Sequence, residues 1–358
     1  MSPRLDYVPA RWLPGAHAMT IYAHFSRPWP RPPQRRERWE LPDADFLDVD
    51  RTPALGGRSD APLLVVLHGL ESSSRAPYVR GLVALARRNG LASLAVNFRG
   101  CSGEPNRLPR FYHSGETGDL DLVVRRLVAE APGRPLVLTG FSLGGNVLVK
   151  WLGERGDDLP SEVQGGVAVS PPLDLSVCAH ALDGPGLWNG LYRRRFIGQL
   201  RSKVLRKSRR MPGAFDLPAV RAARTFSDFD GALTAPLHGF ASAEDYWSRS
   251  SCGRFVAGVR RPLLLLVAED DPIAPPDATS VAAARANPDV TLEMTPAGGH
   301  VGFVGGSPIR RSFWAERRTV EFLSGIASST AARPGATPPR AGPRGPGTPR
   351  AVDGRQGA

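Results

Sequence analysis

The stretch PLVLTGFSLGG, residues 135–145, contains the pattern G-x-S-x-G with Ser142 at its centre. A short apolar run precedes the pattern, and an apolar helical pattern, NVLVKWLGE, follows it. A strand, a sharp turn and a helix in this order are typical of a nucleophile elbow, which exposes a serine hydroxyl above a sheet. Gly140 and Gly144 fit such a turn because a side chain at either position would clash with a neighbouring strand or helix. The alternative is a serine in an ordinary strand–turn–helix loop, so the rest of the chain has to decide.

Strands and helices alternate on both sides of this stretch. Near-continuous apolar runs predict strands at 63–69, 91–100, 163–172, 260–272 and 290–300. Helical periodicity appears at 74–90, 118–130 and 313–327. This alternation predicts an α/β fold with a mostly parallel sheet and helices on both faces. Together with the elbow, it predicts an α/β-hydrolase fold.

One long segment, at about 174–258, interrupts the alternation and is rich in Arg, Gly, Pro and aromatic residues. We expect a helical lid insertion there, above the carboxyl edge of the sheet. The expected organisation is an N-terminal extension packing on the core at 1–50 and one hydrolase domain at 51–330. Residues 331–358 are dominated by Pro, Gly and Arg, which predicts a disordered tail.

A catalytic serine needs a base that takes its proton and a carboxylate that orients the base. His300 lies in the loop TPAGGHVGF, between a predicted strand and the last helix. Asp271 closes the strand RRPLLLLVAEDD, at the edge where open α/β sheets place their sites. The order Ser142, Asp271, His300 is the chain order of α/β-hydrolases. Asp270 is the nearest competitor, and Asp271 is preferred because it fits the hydrolase pattern A/G-x-x-D-x-I-x-P.

The tetrahedral intermediate of acyl transfer needs backbone N–H donors for its oxyanion. Leu143, the residue after the serine, is expected to supply one donor. The second is expected from Leu70, in the loop that follows the first buried strand. His68 precedes that loop and is interpreted as positioning it rather than as a base. We expect no metal and no organic cofactor, because Ser, His and Asp suffice for this chemistry.

The chain resembles α/β-hydrolase family 4, the YheT-like esterases, over roughly residues 8–326. The matching segments are RWLPGAHAMTIY, which fits the motif W-L-x-x-x-H-x-x-T, then LHGLESSS, NFRGCSGEPN, YHSGETGDL, GFSLGGNVLVKWLGE and GFASAEDYWSRSSCGRFVAGVRRPLLLLVAEDDP. Trp247 stands where a second Tyr is commoner, Met19 replaces a usual Gln, and Ser73 replaces a usual Gly.

The resemblance implies that Ser142, Asp271 and His300 are the charge-relay residues. It also implies hydrolysis of carboxylic esters, with short-chain esters and acylglycerol-type lipids as substrates. In the loop NFRGCSGEPNRLPRFYHSG, three side chains either contact substrate or form loop-stabilising hydrogen bonds, namely Arg99, Tyr112 and His113.

Charge and composition bound the partners and the compartment. The formal charge is +12, but the basic residues concentrate in 193–210 and in the tail. Because the basicity is local, we do not expect a nucleic-acid partner. The segment 193–210 has roughly helical apolar spacing, which predicts either a solvated helix face or contact with an anionic membrane or an acidic substrate. Three scattered cysteines and the absence of a signal-peptide pattern lead us to expect a cytoplasmic protein.

Two other functions remain open from the sequence. The first is an acyltransferase on the same fold, in which an alcohol or thiol replaces water. The second is a non-catalytic, hydrolase-like binding protein that docks through its basic segment. The sequence does not fix acyl-chain length, the physiological alcohol or the oligomeric state.

Overall fold

Runs of Leu, Val and Ala that are buried at every position form the central strands, because both faces of the sheet are covered. The computed structural model describes residues 7–331. Its strands are β1 (Arg35–Glu40), β2 (Phe46–Thr52), β3 (Leu63–Leu67), β4 (Ala92–Asn97), β5 (Leu136–Phe141), β6 (Val163–Val169), β7 (Leu263–Ala268), β8 (Val290–Thr295), β9 (Val304–Gly306) and β10 (Arg311–Phe313). Its α-helices are α1 (Ala16–Ser26), α2 (Pro77–Arg88), α3 (Gly118–Glu130), α4 (Leu143–Arg155), α5 (Leu175–Asp183), α6 (Leu187–Ser208), α7 (Leu217–Ala222), α8 (Phe226–Phe229), α9 (Ala235–His238), α10 (Ala243–Ser250), α11 (Ala278–Ala286) and α12 (Trp314–Ala331).

The main sheet has eight strands in the order β1-β2-β4-β3-β5-β6-β7-β8. The pairs β1–β2 and β2–β4 are antiparallel, and every other neighbouring pair is parallel. The predicted mostly parallel sheet is therefore confirmed. The two antiparallel edge strands lie at residues 35–52, where the sequence analysis assigned no strand.

Helices cover both faces of the sheet, as predicted. The apolar side chains of α2 and α12 pack on one face, in a cluster with alternate residues of β3 such as Leu64 and Val66. Those of α3 and α4 pack on the other face, with Leu63, Val65 and Leu67. Because the strands from β3 to β8 run parallel, their carboxyl ends, and the loops that follow them, lie at one common edge of the sheet.

The segment between β6 and β7 contains the helices α5 to α10. Its apolar side chains form a cluster of their own, which includes Ile197, Phe229 and Trp247. The π-turn Asp230–Thr234 links α8 to α9. The segment is thus helical, as expected from the sequence, and most of its helices pack around an apolar interior of their own, whereas Val256 and Val259 pack with the main sheet.

The basic segment 193–210 is helical through Ser208, within α6. The interpretation of this segment as a solvated face is wrong for part of it. Lys207 is only 1% exposed and donates to Asn106 Oδ1 and to the Arg110 carbonyl at 2.7 and 2.6 Å. Burial lowers the pKa of Lys207 to about 7. Several basic side chains of α6 therefore hold the fold together instead of facing solvent.

The N-terminal helix α1 packs beside the loop that precedes β9. Met19 and Ala23 are buried in a small cluster with Val304. A buried ion pair between Arg27 and Glu316, 2.7 Å long, joins the end of α1 to α12. Within residues 7–331, no helix is both long enough and apolar enough to cross a membrane. The predicted tail at 331–358 lies outside the described residues, apart from the last residue of α12.

Candidate active site

The elbow serine lies between β5 and α4 with a strained backbone. Ser142 has φ 51° and ψ −122°, a conformation that residues with a side chain rarely adopt. A Cβ on Gly140 would overlap the carbonyl group of Gly144. A Cβ on Gly144 would lie 2.6 Å from the carbonyl oxygens of both Leu67 and His68. The two glycines therefore let the turn close against the end of β3.

Ser142, His300 and Asp271 are within hydrogen-bond distance of one another in series. His300 Nε2 is 2.8 Å from Ser142 Oγ, and His300 Nδ1 is 2.9 Å from Asp271 Oδ2. The His300 side chain is 10% exposed and that of Asp271 is 1% exposed. With Nδ1–H donated to the carboxylate, Nε2 is the acceptor that faces the serine hydroxyl. The arrangement can move the serine proton onto His300 while Asp271 balances the new charge.

The two neighbouring aspartates do different things. Asp271 Oδ1 accepts hydrogen bonds from the N–H groups of Ile273 and Ala274 at 2.9 and 2.8 Å, which fixes the carboxylate plane. Asp270 Oδ1 instead accepts from Gly298 and Gly299, at 2.8 and 2.9 Å. Asp270 thus holds the loop that carries the histidine, and Asp271 contacts the histidine itself.

A residue of α1 also holds the histidine loop. The His300 N–H donates to Thr20 Oγ1 at 2.8 Å. Thr20 has no predicted role, although it is the last residue of the motif W-L-x-x-x-H-x-x-T. The motif marks the residue, but no local pattern relates it to a loop 280 residues later.

Leu70 and Leu143 are the two predicted oxyanion donors. Both residues line the same cavity as Ser142, and within residues 7–331 neither N–H has a hydrogen-bond acceptor. Leu143 is the first residue of α4, so the partial positive charge of the helix N-terminus adds to its N–H. The pair is available to a developing oxyanion.

His68 stabilises the loop that carries Leu70. Its Nδ1 is 2.8 Å from the Gly69 carbonyl oxygen, and its Nε2 accepts from the Phe98 N–H at 3.2 Å. Burial lowers the pKa of His68 to about 3, so the ring is neutral. These contacts support a positioning role.

The three loop residues that the sequence left between two interpretations differ in what they contact. Arg99 is 3% exposed and is paired with Asp119 and Asp45 at 2.7 and 3.1 Å, so it stabilises the loop. Tyr112 accepts a hydrogen bond from the Glu71 N–H at 2.7 Å and also lines the cavity at Ser142. His113 lines the same cavity.

Two cavities meet at Ser142. The first has about 830 Å³ of empty space. Most of its walls are apolar side chains of the β6–β7 segment, among them Leu175, Ala179, Leu182, Phe196, Leu200, Phe226 and Phe229. The second, with about 920 Å³, lies between α1 and α6, and its polar lining includes Thr20, His24, Tyr192, Arg195, Gln199 and His300. Among the described residues, no group of three or more His, Cys, Asp or Glu side chains could hold a metal ion.

The first cavity contains one acidic side chain that the sequence analysis did not single out. Asp230, in the π-turn, accepts hydrogen bonds from Trp247 Nε1 at 2.8 Å and from Thr234 Oγ1 at 2.7 Å. Burial raises the pKa of Asp230 to about 6. The pattern of apolar residues around this position gives no sign that a carboxyl group faces the cavity.

Comparison with known proteins identifies the family of the chain. The model of the α/β-hydrolase fold family matches residues 62–307, and the chain belongs to that family. Within the family it is YheT-like: YheT of Escherichia coli (strain K12), which carries the name of an esterase, is 34% identical over 331 residues, 90% of this chain and 94% of YheT. The resemblance seen in the sequence is confirmed.

Two further proteins show how far the similarity reaches. The monoacylglycerol lipase of Saccharomyces cerevisiae is 30% identical over 257 residues, which is 70% of this chain and 57% of the lipase. The solved structure of the Pyrococcus furiosus esterase Pf2001 aligns with a TM-score of 0.52 and 19% identity, covering 82% of this chain and 91% of that one. At that identity the structural similarity concerns the fold alone.

Proposed function

We propose that this chain is a serine hydrolase that cleaves carboxylic esters with Ser142, His300 and Asp271. The observation that carries the proposal is the unbroken pair of hydrogen bonds, 2.8 Å from Ser142 Oγ to His300 Nε2 and 2.9 Å from His300 Nδ1 to Asp271 Oδ2. The esterase and lipase names of its relatives support the same class of reaction.

The proposed reaction has two steps through an acyl-enzyme. Ser142 Oγ attacks the ester carbonyl carbon while His300 Nε2 takes its proton, and the N–H groups of Leu70 and Leu143 stabilise the oxyanion. His300 then protonates the leaving alcohol. A water molecule attacks the acyl-serine while His300 takes one of its protons, and His300 then returns a proton to Ser142 Oγ as the acid is released. Asp271 stays ionised throughout and keeps the imidazole oriented.

Because both cavities reach Ser142, each can hold one part of an ester substrate. We assign the acyl chain to the first cavity, because its apolar walls favour a hydrocarbon group over water. We assign the alcohol to the second, whose lining includes the polar side chains of Thr20, Arg195 and Gln199 among apolar ones. Short-chain esters and acylglycerol-type lipids fit this division. In this proposal the segment at about 174–258 is a lid, and the hydrolase domain includes β1 and β2, because both strands belong to the main sheet. The expected start of the domain at residue 51 would divide β2.

A peripheral membrane contact and a cytoplasmic location complete the proposal. Leu187, Trp188 and Leu191, at the start of α6, are 84, 41 and 51% exposed, and exposed arginines follow them at 194–195, 206 and 209–210. Exposed apolar and basic side chains close together in the chain favour an anionic lipid surface.

The proposed cytoplasmic location is supported by the cysteines. Within residues 7–331 all three are free thiols, in keeping with a reducing compartment.

The membrane contact is tested with vesicles of anionic and of neutral lipid. Neutralising arginines 206, 209 and 210 should weaken binding to anionic vesicles and reduce its salt dependence. Binding that is unchanged in that variant would reject the contact.

The hydrolase proposal is tested with a fluorophosphonate probe, which reacts with activated serines. The wild-type protein should be labelled, and Ser142→Ala should not. A wild type that resists labelling, or a labelled Ser142→Ala, would contradict the proposed mechanism. Product analysis with a competing alcohol separates hydrolysis from acyl transfer, since a transferase would form mainly the new ester.

A further inference from the structure

We propose that Lys203, on α6, is a positioning residue that acts through Glu71. It holds residues 68–71, the oxyanion loop, in their active shape. The inference rests on the proposed function, because it concerns the amide of Leu70 as an oxyanion donor. The new point is that the position of the Leu70 N–H depends on α6, a helix of the lid more than 130 residues away in sequence.

Glu71, the residue after Leu70, has a strained backbone and is held by three hydrogen bonds. Its φ is 50°, which costs a residue with a side chain about 1 to 3 kcal/mol. Its N–H donates to Tyr112 Oη at 2.7 Å, and the Tyr112 hydroxyl donates to Glu71 Oε1 at 2.8 Å. Lys203 Nζ donates to the same Oε1 at 2.6 Å. Strain of this kind persists only where surrounding contacts impose it, so these bonds fix the loop.

The peptide between Gly69 and Leu70 is thereby fixed at both ends. On the upstream side, the His68 ring bonds to the Gly69 carbonyl, and the Gly69 N–H donates to Tyr78 Oη at 2.9 Å. On the downstream side, Glu71 and its partners restrain the chain, and the next residue, Ser72, accepts a hydrogen bond from Tyr78 Oη at 2.9 Å. Because a peptide is planar, fixing its carbonyl and the next residue sets the direction of the Leu70 N–H.

The Lys203–Glu71 pair is buried and joins separate parts of the fold. The two side chains are 11 and 7% exposed. Loss of the lysine would leave the carboxylate buried without its cationic partner, which favours movement of Glu71 toward water. A displacement of α6 would have the same effect, so an intact oxyanion loop requires the helix in place.

The test compares two variants of α6, Lys203→Met and Arg201→Met. Arg201 donates to the Ala223 carbonyl and does not contact the oxyanion loop, so it controls for general damage to the helix. Lys203→Met should lower kcat roughly 10- to 100-fold with KM within about threefold, a part of the loss expected for a missing oxyanion donor. It should weaken a trifluoromethyl ketone inhibitor, which forms an oxyanion with the serine, by a similar factor. Arg201→Met should leave both values within about twofold of the wild type.

A second variant covers the case in which Lys203→Met does not fold. Tyr112→Phe keeps the ring, which stacks on Phe98, and removes only the hydroxyl that holds Glu71. It should show the same fall in kcat and in inhibitor affinity. Wild-type kcat in a folded Lys203→Met, or a loss confined to KM, would overturn the inference; if Lys203→Met does not fold, wild-type kcat in Tyr112→Phe would overturn it. A wild type without esterase activity would instead overturn the proposed function, and with it the role of Lys203.

Discussion

The neighbouring aspartates at the end of β7 give the sharpest test of the assigned carboxylate. In Asp271→Asn, the carbonyl oxygen should occupy the position of Oδ1, because two backbone N–H groups at 2.9 and 2.8 Å require an acceptor there. The amide nitrogen then takes the place of Oδ2, which lies nearer to His300 Nδ1, at 2.9 Å, than Oδ1 does, at 3.1 Å. Two donors would face each other, so the imidazole should carry its proton on Nε2 instead. In that tautomer Nε2 cannot accept the proton of Ser142.

The expected loss in kcat is about 10⁴-fold, or ~5 kcal/mol of transition-state stabilisation. Asp270→Asn is the matched control. Its amide keeps an oxygen for the N–H groups of Gly298 and Gly299, so we expect kcat/KM within about threefold of the wild type. The assay is steady-state hydrolysis of a chromogenic short-chain ester, with thermal unfolding to verify the fold. An equal loss in both variants, or a loss below about tenfold in Asp271→Asn, would refute the reasoning.

Three other variants test separate parts of the structure. Gly144→Ala places a Cβ 2.6 Å from two carbonyl oxygens, so denaturant unfolding should show a loss of roughly 2 kcal/mol or more, with little activity left. Thr20→Val leaves the His300 N–H without its acceptor and should lower kcat/KM about tenfold, since an unpaired buried donor costs about 1 to 3 kcal/mol; an unchanged value would exclude a role for α1. Because the pKa of Asp230 rises from 3.8 to about 6 on burial, the folded state binds its proton more tightly. The unfolding free energy of the wild type, measured relative to Asp230→Asn, should therefore fall by up to about 3 kcal/mol from about pH 4 to about pH 6.

The parts of the fold that are encoded locally were predictable from the sequence. The buried strands, the flanking helices and the elbow follow from apolar runs, periodicity and glycine placement. The chain order of Ser142, Asp271 and His300 at strand ends was sufficient to expect them at one edge of the sheet. The antiparallel strands β1 and β2 were missed because charged residues alternate along them, for example Arg36 and Arg38, which pair with Asp50 and Asp48.

Contacts between distant segments were not predictable in the same way. The hydrogen bond from Thr20 to His300 and the ion pair from Lys203 to Glu71 join residues that no local pattern relates. The basic run in α6 illustrates the difference. Its charge suggested solvent or a membrane, but Lys207 is buried against Asn106, because the partner for its ammonium group lies about 100 residues earlier in the chain.

The central claim, acyl transfer through Ser142, is tested most directly by trapping the acyl-enzyme. The protein is mixed with a chromogenic ester, quenched in acid within the first turnover, and examined by intact mass and peptide mapping. We expect one acyl group per chain, located on Ser142, together with a burst of released alcohol equal to the enzyme concentration. An acyl group on another residue, or Ser142→Ala turning over the ester at the wild-type rate, would contradict the account.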